Sequence, residues 1–252
     1  MKWICLVLTA LAGLTPPAAG AATIIYQENF DGSGSSNLAG LAPDVAPGSE
    51  TWGGSSEYKA DGFVGGFNFS GIYLPFAPSP GYIYTLTGSF RVTAGSDWLG
   101  LGYAGGSPTS PDRLSNNQGR GWLIAKNTDI VSFVGPGDGA GVFQSTISTQ
   151  SPVGVLTTQT ITLDASSGNP ANWTFSANQT VGSTNYAVWT NQPAGITSAG
   201  DITAIGLSAS SASGTFTSVT LTAVPEPSTC AMALAGLACG GFSIWRRRSK
   251  RA

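Results

Sequence analysis

The sequence predicts an all-β sandwich, and three observations support this fold class. Polar and apolar residues alternate along several runs, glycine and proline recur between these runs, and no central stretch keeps a helical period. Only 10% of the 252 residues are charged, but 10% are aromatic, so the chain has enough apolar side chains to build a packed core. The roughly 200 central residues suit one sandwich of about a dozen strands, with no repeat of fixed period.

The N-terminal segment, residues 1–22, has the three parts of a secretory signal peptide. Lys2 gives a positive start, residues 3–14 are largely apolar, and a pair of prolines ends this run. The small residues of the expected cleavage region follow, and they are Ala19, Ala21 and Ala22. The alternative is a buried first helix, which leaves the basic start and the cleavage box unexplained. We therefore expect the chain to be exported.

The body, residues 23–223, contains the predicted strands. In the clearest run Tyr84, Leu86, Phe90 and Val92 alternate with polar residues, which predicts one buried face and one wet face. In the last run the apolar phase shifts after Phe216, which predicts a bulge. The predicted strands are residues 23–30, 63–69, 82–93, 98–103, 121–126, 130–134, 142–148, 158–164, 172–177, 186–190, 202–208 and 215–224.

Charge, cysteine and histidine usage exclude several classes of function. Between its two basic ends the chain has five cationic and 13 acidic side chains, a net charge of −8 that disfavours nucleic acid as a partner. The three cysteines lie in the terminal apolar segments, and there is no histidine. Catalytic triads that need histidine and zinc sites of histidine or body cysteines are therefore excluded. We expect no cofactor.

The C-terminal segment, residues 224–252, has three consecutive parts. The motif Pro225, Glu226 and Pro227 comes first, and an uncharged apolar run over residues 229–245 predicts a short transmembrane helix. The prolines should keep the preceding segment extended and accessible to a processing enzyme. A basic cluster, expected to stay cytoplasmic as a stop-transfer signal, ends the chain, and it consists of Arg246, Arg247, Arg248, Lys250 and Arg251. The alternative is an ordinary membrane anchor with a single transmembrane span.

These three parts, in this order, closely resemble the PEP-CTERM sorting signal. The resemblance implies recognition by an exosortase, a membrane-embedded cysteine transpeptidase-like enzyme, after the general secretion machinery has exported the chain. It also implies a transient inner-membrane stage, cleavage near the Pro-Glu-Pro motif and delivery to the surface or extracellular matrix of a Gram-negative, exopolysaccharide-producing bacterium. Similar tails are sometimes labelled an ice-binding-protein C-terminal domain, and that label alone does not indicate ice binding.

The body resembles concanavalin A-like or LamG-like jelly rolls. The resemblance rests on Asn29-Phe30-Asp31 near the start, residues 97–102 in the middle and residues 214–216 near the end. It implies a jelly-roll β-sandwich, flanked here by the signal peptide and the transmembrane helix. It also implies that the first and last strands are neighbours in one sheet.

Chemistry-bearing residues in the body give weaker indications. Glu28, Glu50 and Glu57 could supply the carboxylate pair of a glycosidase, but we expect them to be solvated surface groups. Trp52, in a glycine-rich loop, is the candidate sugar contact, although core packing is the alternative. Calcium could lie at residues 31–35 or 138–139, but both segments are predicted to be turns.

Ice binding would need a flat, regular array of threonines. The pairs Thr85/Thr87, Thr160/Thr162 and Thr220/Thr222 are expected on scattered strands with no repeat, as ordinary wet sheet faces. The leading hypothesis is a non-enzymatic surface or matrix protein that contacts extracellular polysaccharide. The alternative is a secreted carbohydrate-active enzyme, and an ice-binding protein is a third interpretation.

Overall fold

In the computed structural model, residues 21–65, 70–106, 118–126, 129–134, 143–147 and 152–226 are described. They form twelve strands and two single turns of 3-10 helix, at Pro170–Asn172 and Ala199–Asp201, and they contain no α-helix. The all-β prediction is therefore confirmed. The strands are β1 Thr23–Glu28, β2 Gly53–Gly54, β3 Phe63–Val64, β4 Ser70–Pro75, β5 Tyr82–Ala104, β6 Gly119–Lys126, β7 Ile130–Val134, β8 Phe143–Ile147, β9 Leu156–Ala165, β10 Thr174–Val181, β11 Thr184–Pro193 and β12 Ala204–Pro225.

Two long neighbouring strands, β5 and β12, connect the two layers of the sandwich. β5 pairs with β9 over residues 82–91 and with β6 over residues 98–104. β12 pairs with β4 over residues 204–209 and with β1 over residues 219–223. A strand that changes partner along its length contributes to both layers. β10 and β11 continue outward from β9, while β7 and β8 continue from β6.

The core lies between the layers and is rich in aromatic side chains. Phe216 of β12 is at its centre, with its ring centroid 5.3 Å from that of Phe90 and 6.3 Å from those of Phe30 and Tyr58. Full burial of one such ring stabilises the fold by roughly 1.5–3 kcal/mol. Trp173, just before β10, is completely buried.

A second, smaller apolar cluster contains Trp98, Trp122, Ile124 and Phe133. Trp98 has the opposite phase to Leu99 and Leu101, which belong to the main core. Trp98 therefore faces the smaller cluster while Leu99 and Leu101 face the main core, and both phases of this part of β5 are buried.

Most predicted strands are present, but four of them merge into two. Residues 82–93 and 98–103 form one strand, β5, and residues 202–208 and 215–224 contribute to β12. β4 was not expected, and Gly53–Gly54, in the predicted glycine-rich loop, pairs with β4 as β2. The phase shift in β12 is present, because Phe216 and Val219 are buried whereas Thr217 and Ser218 are not.

The first and last strands are neighbours, as the jelly-roll resemblance implied. Thr23 of β1 is directly opposite Ala223 of β12, and the two strands run antiparallel. The predicted signal peptide up to residue 20, the predicted helix over residues 229–245 and the basic cluster lie outside the described residues. Among the described residues, no helix has the length and apolar character required to cross a membrane.

Candidate functional site

Trp52 is a core residue, so its predicted role as a sugar contact is wrong. Only 1% of its surface is exposed, and its indole Nε1 donates a hydrogen bond to Glu28 Oε2 at 3.0 Å. Its ring also packs against Phe30, with the centroids 6.5 Å apart. The glycine-rich loop that contains Trp52 therefore folds inward, because burial of the indole satisfies both its apolar face and its polar N–H.

Glu28 is also buried, contrary to its prediction as a surface carboxylate. Its side chain is 6% exposed, and its Oε1 accepts a hydrogen bond from the Phe30 backbone N–H at 2.9 Å. Burial raises the pKa of Glu28, although its hydrogen bonds oppose this shift and nearby Asp44 and Asp31 add to it. Because both carboxylate oxygens are used inside the fold, this arrangement anchors Trp52 rather than presenting an acid to a substrate.

A groove of about 390 Å³ lies beside the start of β1 and is the strongest candidate binding site. Its volume is within the range of small-molecule sites, and aromatic and proline side chains form most of its wall. We call it the Glu50 groove; its lining residues are Ile25, Tyr26, Pro47, Glu50, Pro75, Phe76, Ala77, Tyr84 and Thr203.

The aromatic wall of the Glu50 groove is fixed by the main core. Phe76 and Tyr84 meet edge to face with ring centroids 5.1 Å apart, and both are less than a tenth exposed. The Tyr26 hydroxyl donates to the carbonyl oxygen of Pro75. Burial, and to a lesser extent the charge of Glu50, raises the pKa of Tyr26 to about 12, so this phenol remains a protonated donor. The wall is therefore rigid before any ligand arrives.

Glu50 differs from the other polar groups of the groove. Its Oε2 is buried, yet this oxygen accepts no hydrogen bond within the described part of the chain. A Cβ at Gly48 would lie 3.1 Å from this oxygen, so the glycine leaves room for the carboxylate. The sequence marked Glu50 as a possible functional group, but Tyr26, Phe76 and Tyr84 of the wall lie 24 to 34 positions away and gave no local signal.

Glu57, the third carboxylate considered for catalysis, is half-buried outside the Glu50 groove. Its Oε2 is likewise buried and lacks a hydrogen-bond partner among the described residues. The surface assignment is therefore wrong in part for both Glu50 and Glu57, since each has one oxygen withdrawn from water.

Two of the three threonine pairs, Thr85/Thr87 and Thr160/Thr162, lie on the adjacent strands β5 and β9, which corrects their expected scatter, whereas Thr220/Thr222 lies on β12 opposite β1. Thr87 of β5 is directly opposite Thr160 of β9, which is directly opposite Asn178 of β10. The rows on either side are also complete, because these two ladders have no shift of register. The resulting hydroxyl face is half-buried throughout and consists of Thr85, Thr87, Ser89, Thr158, Thr160, Thr162, Ser176, Asn178 and Thr180.

The loop over residues 31–35 is a turn, as expected. Ser33 and Ser35 hydroxyls hydrogen-bond each other at 2.8 Å, and the Gly32 N–H donates to the Ala60 carbonyl. Within the described ranges, no three carboxylate, cysteine or histidine side chains group as metal ligands. Asp138 and Gly139, the second calcium candidate, lie outside these ranges.

The two processing regions are described only in part. Ala21 and Ala22 are exposed, whereas Ala19 lies outside the described residues. Pro225 is the last residue of β12, and Glu226 follows it with an exposed side chain. Pro227 and the residues beyond it are not described. The sorting motif therefore begins where the last strand ends, with no linker between them.

Comparison with known proteins supports the interpretation of the C-terminal segment. Residues 223–248 match the PEP-CTERM protein-sorting motif, which indicates an exported, exosortase-processed protein of the cell surface. The sequence has no significant match among curated proteins.

Several solved structures are similar to the body. A carbohydrate binding module, CBM66, from Bacillus subtilis has 13% identity and a TM-score of 0.43 over 68% of this chain and 91% of that one. Lectin I-B4 from Griffonia simplicifolia has 12% identity and a TM-score of 0.41, with coverages of 62% and 82%. A legume lectin-like domain from Entamoeba histolytica has 11% identity and a TM-score of 0.43, with coverages of 64% and 84%. Similarity of this size assigns neither ligand nor activity to this chain.

Proposed function

We propose that this chain is a surface or extracellular-matrix protein whose body makes non-catalytic contact with extracellular polysaccharide through the Glu50 groove. The sorting motif at residues 223–248 supports the destination. The proposed route is cleavage of the signal peptide near Ala21 and Ala22, a transient inner-membrane stage held by the segment over residues 229–245, and exosortase cleavage near Pro225–Pro227.

One observation carries the binding role: the groove combines a mainly apolar, aromatic wall with the half-buried carboxylate side chain of Glu50. Sugar rings have apolar C–H faces and polar edges, so they fit a site with both kinds of surface. Tyr26, Phe76 and Tyr84 would contact the ring, and Glu50 would accept hydrogen bonds from its polar edge.

A blocking variant tests this contact. Ala77 is exposed at the edge of the groove, so Ala77→Trp should fill it without disturbing the core. We expect the full chain to be retained on polysaccharide extracted from its own host, and Ala77→Trp to weaken this retention about tenfold or more. Val153→Trp, at an exposed residue outside the groove, is the matched control. Equal retention of all three proteins would contradict the proposal.

The alternative is a secreted carbohydrate-active enzyme. Incubation of the same polysaccharide with the full chain should release no new reducing ends if the contact is non-catalytic. Hydrolysis that is abolished by Glu50→Gln or Glu57→Gln would establish the enzyme instead, because a glycosidase requires its carboxylates.

A second candidate function, ice binding, is favoured by the hydroxyl face. Residues of this face on neighbouring strands are about 4.7–4.9 Å apart, and successive residues of the face along one strand are about 6.6–6.8 Å apart, as in any regular sheet. The nine side chains are short and uncharged, and Ser89 and Thr158 hydroxyls are fixed to each other by a 2.8 Å hydrogen bond. Such a regular set of hydroxyl and methyl groups could match ordered water at an ice surface.

Ice binding would appear as thermal hysteresis and as inhibition of ice recrystallisation by the full chain. Thr160→Lys, at the centre of the face, should abolish both effects because a long charged side chain breaks the array. Thr190→Lys, on the exposed side of β11, is the control. No hysteresis in the unmodified protein would remove this candidate.

A further inference from the structure

Negative charge dominates the Glu50 groove. Glu50 supplies a half-buried carboxylate, and none of the described residues that line the groove is a lysine or an arginine. The charge acts on the wall itself, because it contributes to the raised pKa of Tyr26. Salt screens a partly buried charge much less than an exposed one. The groove therefore presents a negative potential to any ligand that enters it.

The hydroxyl groups of the wall are not free to bind an incoming anion, because their protons are already used. Tyr26, Tyr84 and Thr203 each donate the hydroxyl proton to a backbone carbonyl oxygen, and the acceptors are, in the same order, Pro75, Ser79 and Gly106. An anionic ligand would have to break one of these bonds to gain a hydroxyl donor.

Backbone donors are also scarce along the wall. Pro47 and Pro75 have no N–H group. The N–H of Phe76 donates to the carbonyl oxygen of Thr203 at 2.9 Å, and the N–H of Thr203 donates to that of Ala104 at 2.9 Å. The wall thus has apolar surface and hydrogen-bond acceptors, but it lacks the cations and free donors by which proteins usually hold anions.

We propose that the Glu50 groove binds uncharged sugar units and rejects acidic ones, such as uronic acids and sulfated sugars. This inference rests on the proposed polysaccharide contact and names its substrate class. An uncharged ring brings C–H faces to the apolar wall and hydroxyl protons to the acceptors. An acidic ring places a second negative charge near Glu50, and such like-charge repulsion suppresses binding of the wrong partner.

The charge of the whole body acts in the same direction over a longer range. The net charge of −8 between the two basic ends repels acidic polysaccharide wherever it approaches. This field is largely screened beyond about 8 Å at 0.15 M salt, whereas repulsion inside the groove persists. A test of the inference therefore has to separate the groove from the body.

Two forms of one polysaccharide make the comparison. Polysaccharide extracted from the native host is divided in two, and the carboxyl groups of one half are reduced to alcohols. The primary alcohols of the other half are oxidised to carboxylates, so the two forms share their rings and linkages and differ in charge. We expect the full chain, at about 0.15 M salt, to bind the neutral form about tenfold more tightly or better.

Glu50→Gln should reduce this preference about threefold or more, because it removes the charge of the groove and keeps the shape of the side chain. Glu57→Gln is the matched control, since it changes the net charge by the same amount at a residue that does not line the groove. This control should keep the preference. An equal reduction in both variants would assign the preference to the body as a whole and overturn the inference.

Ala77→Lys provides a second test that leaves Glu50 unchanged. Ala77 is exposed at the edge of the groove, so a lysine there should supply a cation and strengthen binding of the oxidised form about threefold or more. Val153→Lys adds the same charge at an exposed residue outside the groove. Equal gains in the two lysine variants would contradict the inference.

The outcomes also separate this inference from the contact on which it rests. Equal or tighter binding of the oxidised form by the unmodified protein overturns the selectivity for uncharged sugars. If Ala77→Trp still weakens retention on host polysaccharide in that case, the general contact stands. Failure of the unmodified protein to bind the extracted and the reduced polysaccharide overturns both.

Discussion

Trp52 Nε1 and Glu28 Oε2 form a buried hydrogen bond of 3.0 Å that joins the loop before β2 to the end of β1. The two residues are 24 positions apart in the sequence. Glu50 precedes Trp52 by two residues, so the anchored indole also fixes the position of the carboxylate in the Glu50 groove. A buried polar contact is therefore the structural support for the proposed binding site.

Trp52→Phe should destabilise the fold by about 1–3 kcal/mol, because it leaves a buried oxygen of Glu28 without its donor. Urea unfolding of the purified protein measures this loss. Val153→Ala, at an exposed residue, should change the stability by no more than about 0.5 kcal/mol. An equally stable Trp52→Phe protein would show that the hydrogen bond contributes nothing measurable.

Glu28 should make stability depend on pH in a defined direction. Its pKa is raised in the folded state, so folding favours the protonated carboxyl, and the resulting stabilisation is full below the unfolded pKa. This contribution is lost as pH rises through the folded pKa. The difference in unfolding free energy between wild type and Glu28→Gln should therefore decrease from about pH 4 upward.

Asp201 gives the opposite trend and must be separated from that of Glu28. Hydrogen bonds from the backbone N–H groups of Thr197 and Ser198 lower the pKa of Asp201, so its contribution is lost as pH falls. Because the wild type and Glu28→Gln both keep Asp201, the difference between their unfolding free energies isolates the contribution of Glu28. A difference that stays constant or grows with pH would contradict the assignment.

Gly62 should tolerate no larger residue. It has a φ of +80°, and an added Cβ would lie 2.0 Å from the carbonyl oxygen of Phe216. Because this oxygen belongs to the backbone, rotation of a side chain cannot relieve the overlap. Gly62→Ala should therefore cost about 3 kcal/mol or more, from backbone strain and overlap together. The midpoint of thermal unfolding is the measurement.

Gly81→Ala is the control for Gly62. Gly81 has a similar φ of +86°, but a Cβ there would meet no atom within 4 Å. It should cost only about 1–2 kcal/mol, the strain of a left-handed alanine. Equal losses at the two positions would mean that the contact with Phe216 is relieved by movement of the backbone.

Replacement of the sorting motif should block processing without affecting the body. In the native host, the triple change Pro225→Ala, Glu226→Gln and Pro227→Ala should leave the C-terminal segment attached and the protein in the membrane fraction. Mass spectrometry of the cell-associated protein shows whether the C-terminal segment is still attached. Glu57→Gln, a change outside the sorting motif, is the control and should be processed normally. Normal release of the triple variant would place the cleavage signal elsewhere.

Local alternation predicted the strands well, because burial of every second residue is encoded in each strand by itself. The alternation in residues 82–93 gives the correct inward face for Tyr84, Leu86, Phe90 and Val92. It could not show that β5 continues to Ala104, since both phases are buried around Trp98 and the pattern there loses its period. β4 was missed for the same reason: five of its six residues are at least half-buried.

The site could not be predicted, because it depends on which strands become neighbours. Trp52 lies among glycines and looks like an exposed loop residue, whereas its burial follows from Glu28, a residue on another element. The threonines Thr87 and Thr160 are 73 positions apart, and only the pairing of β5 with β9 brings them face to face. Pairing of distant strands is a property of the whole fold and has no local sequence pattern.

The antiparallel pairing of Thr23 with Ala223 has a consequence for maturation. On the proposed route both cuts fall beyond this pair, so neither would remove a backbone hydrogen bond of the β1–β12 ladder. The processed body would then keep its fold, and its new termini would lie side by side at one edge of the sandwich. A short peptide could join them, and the chain could then be opened at an exposed turn such as Gly168 to give a circular permutant with the same core.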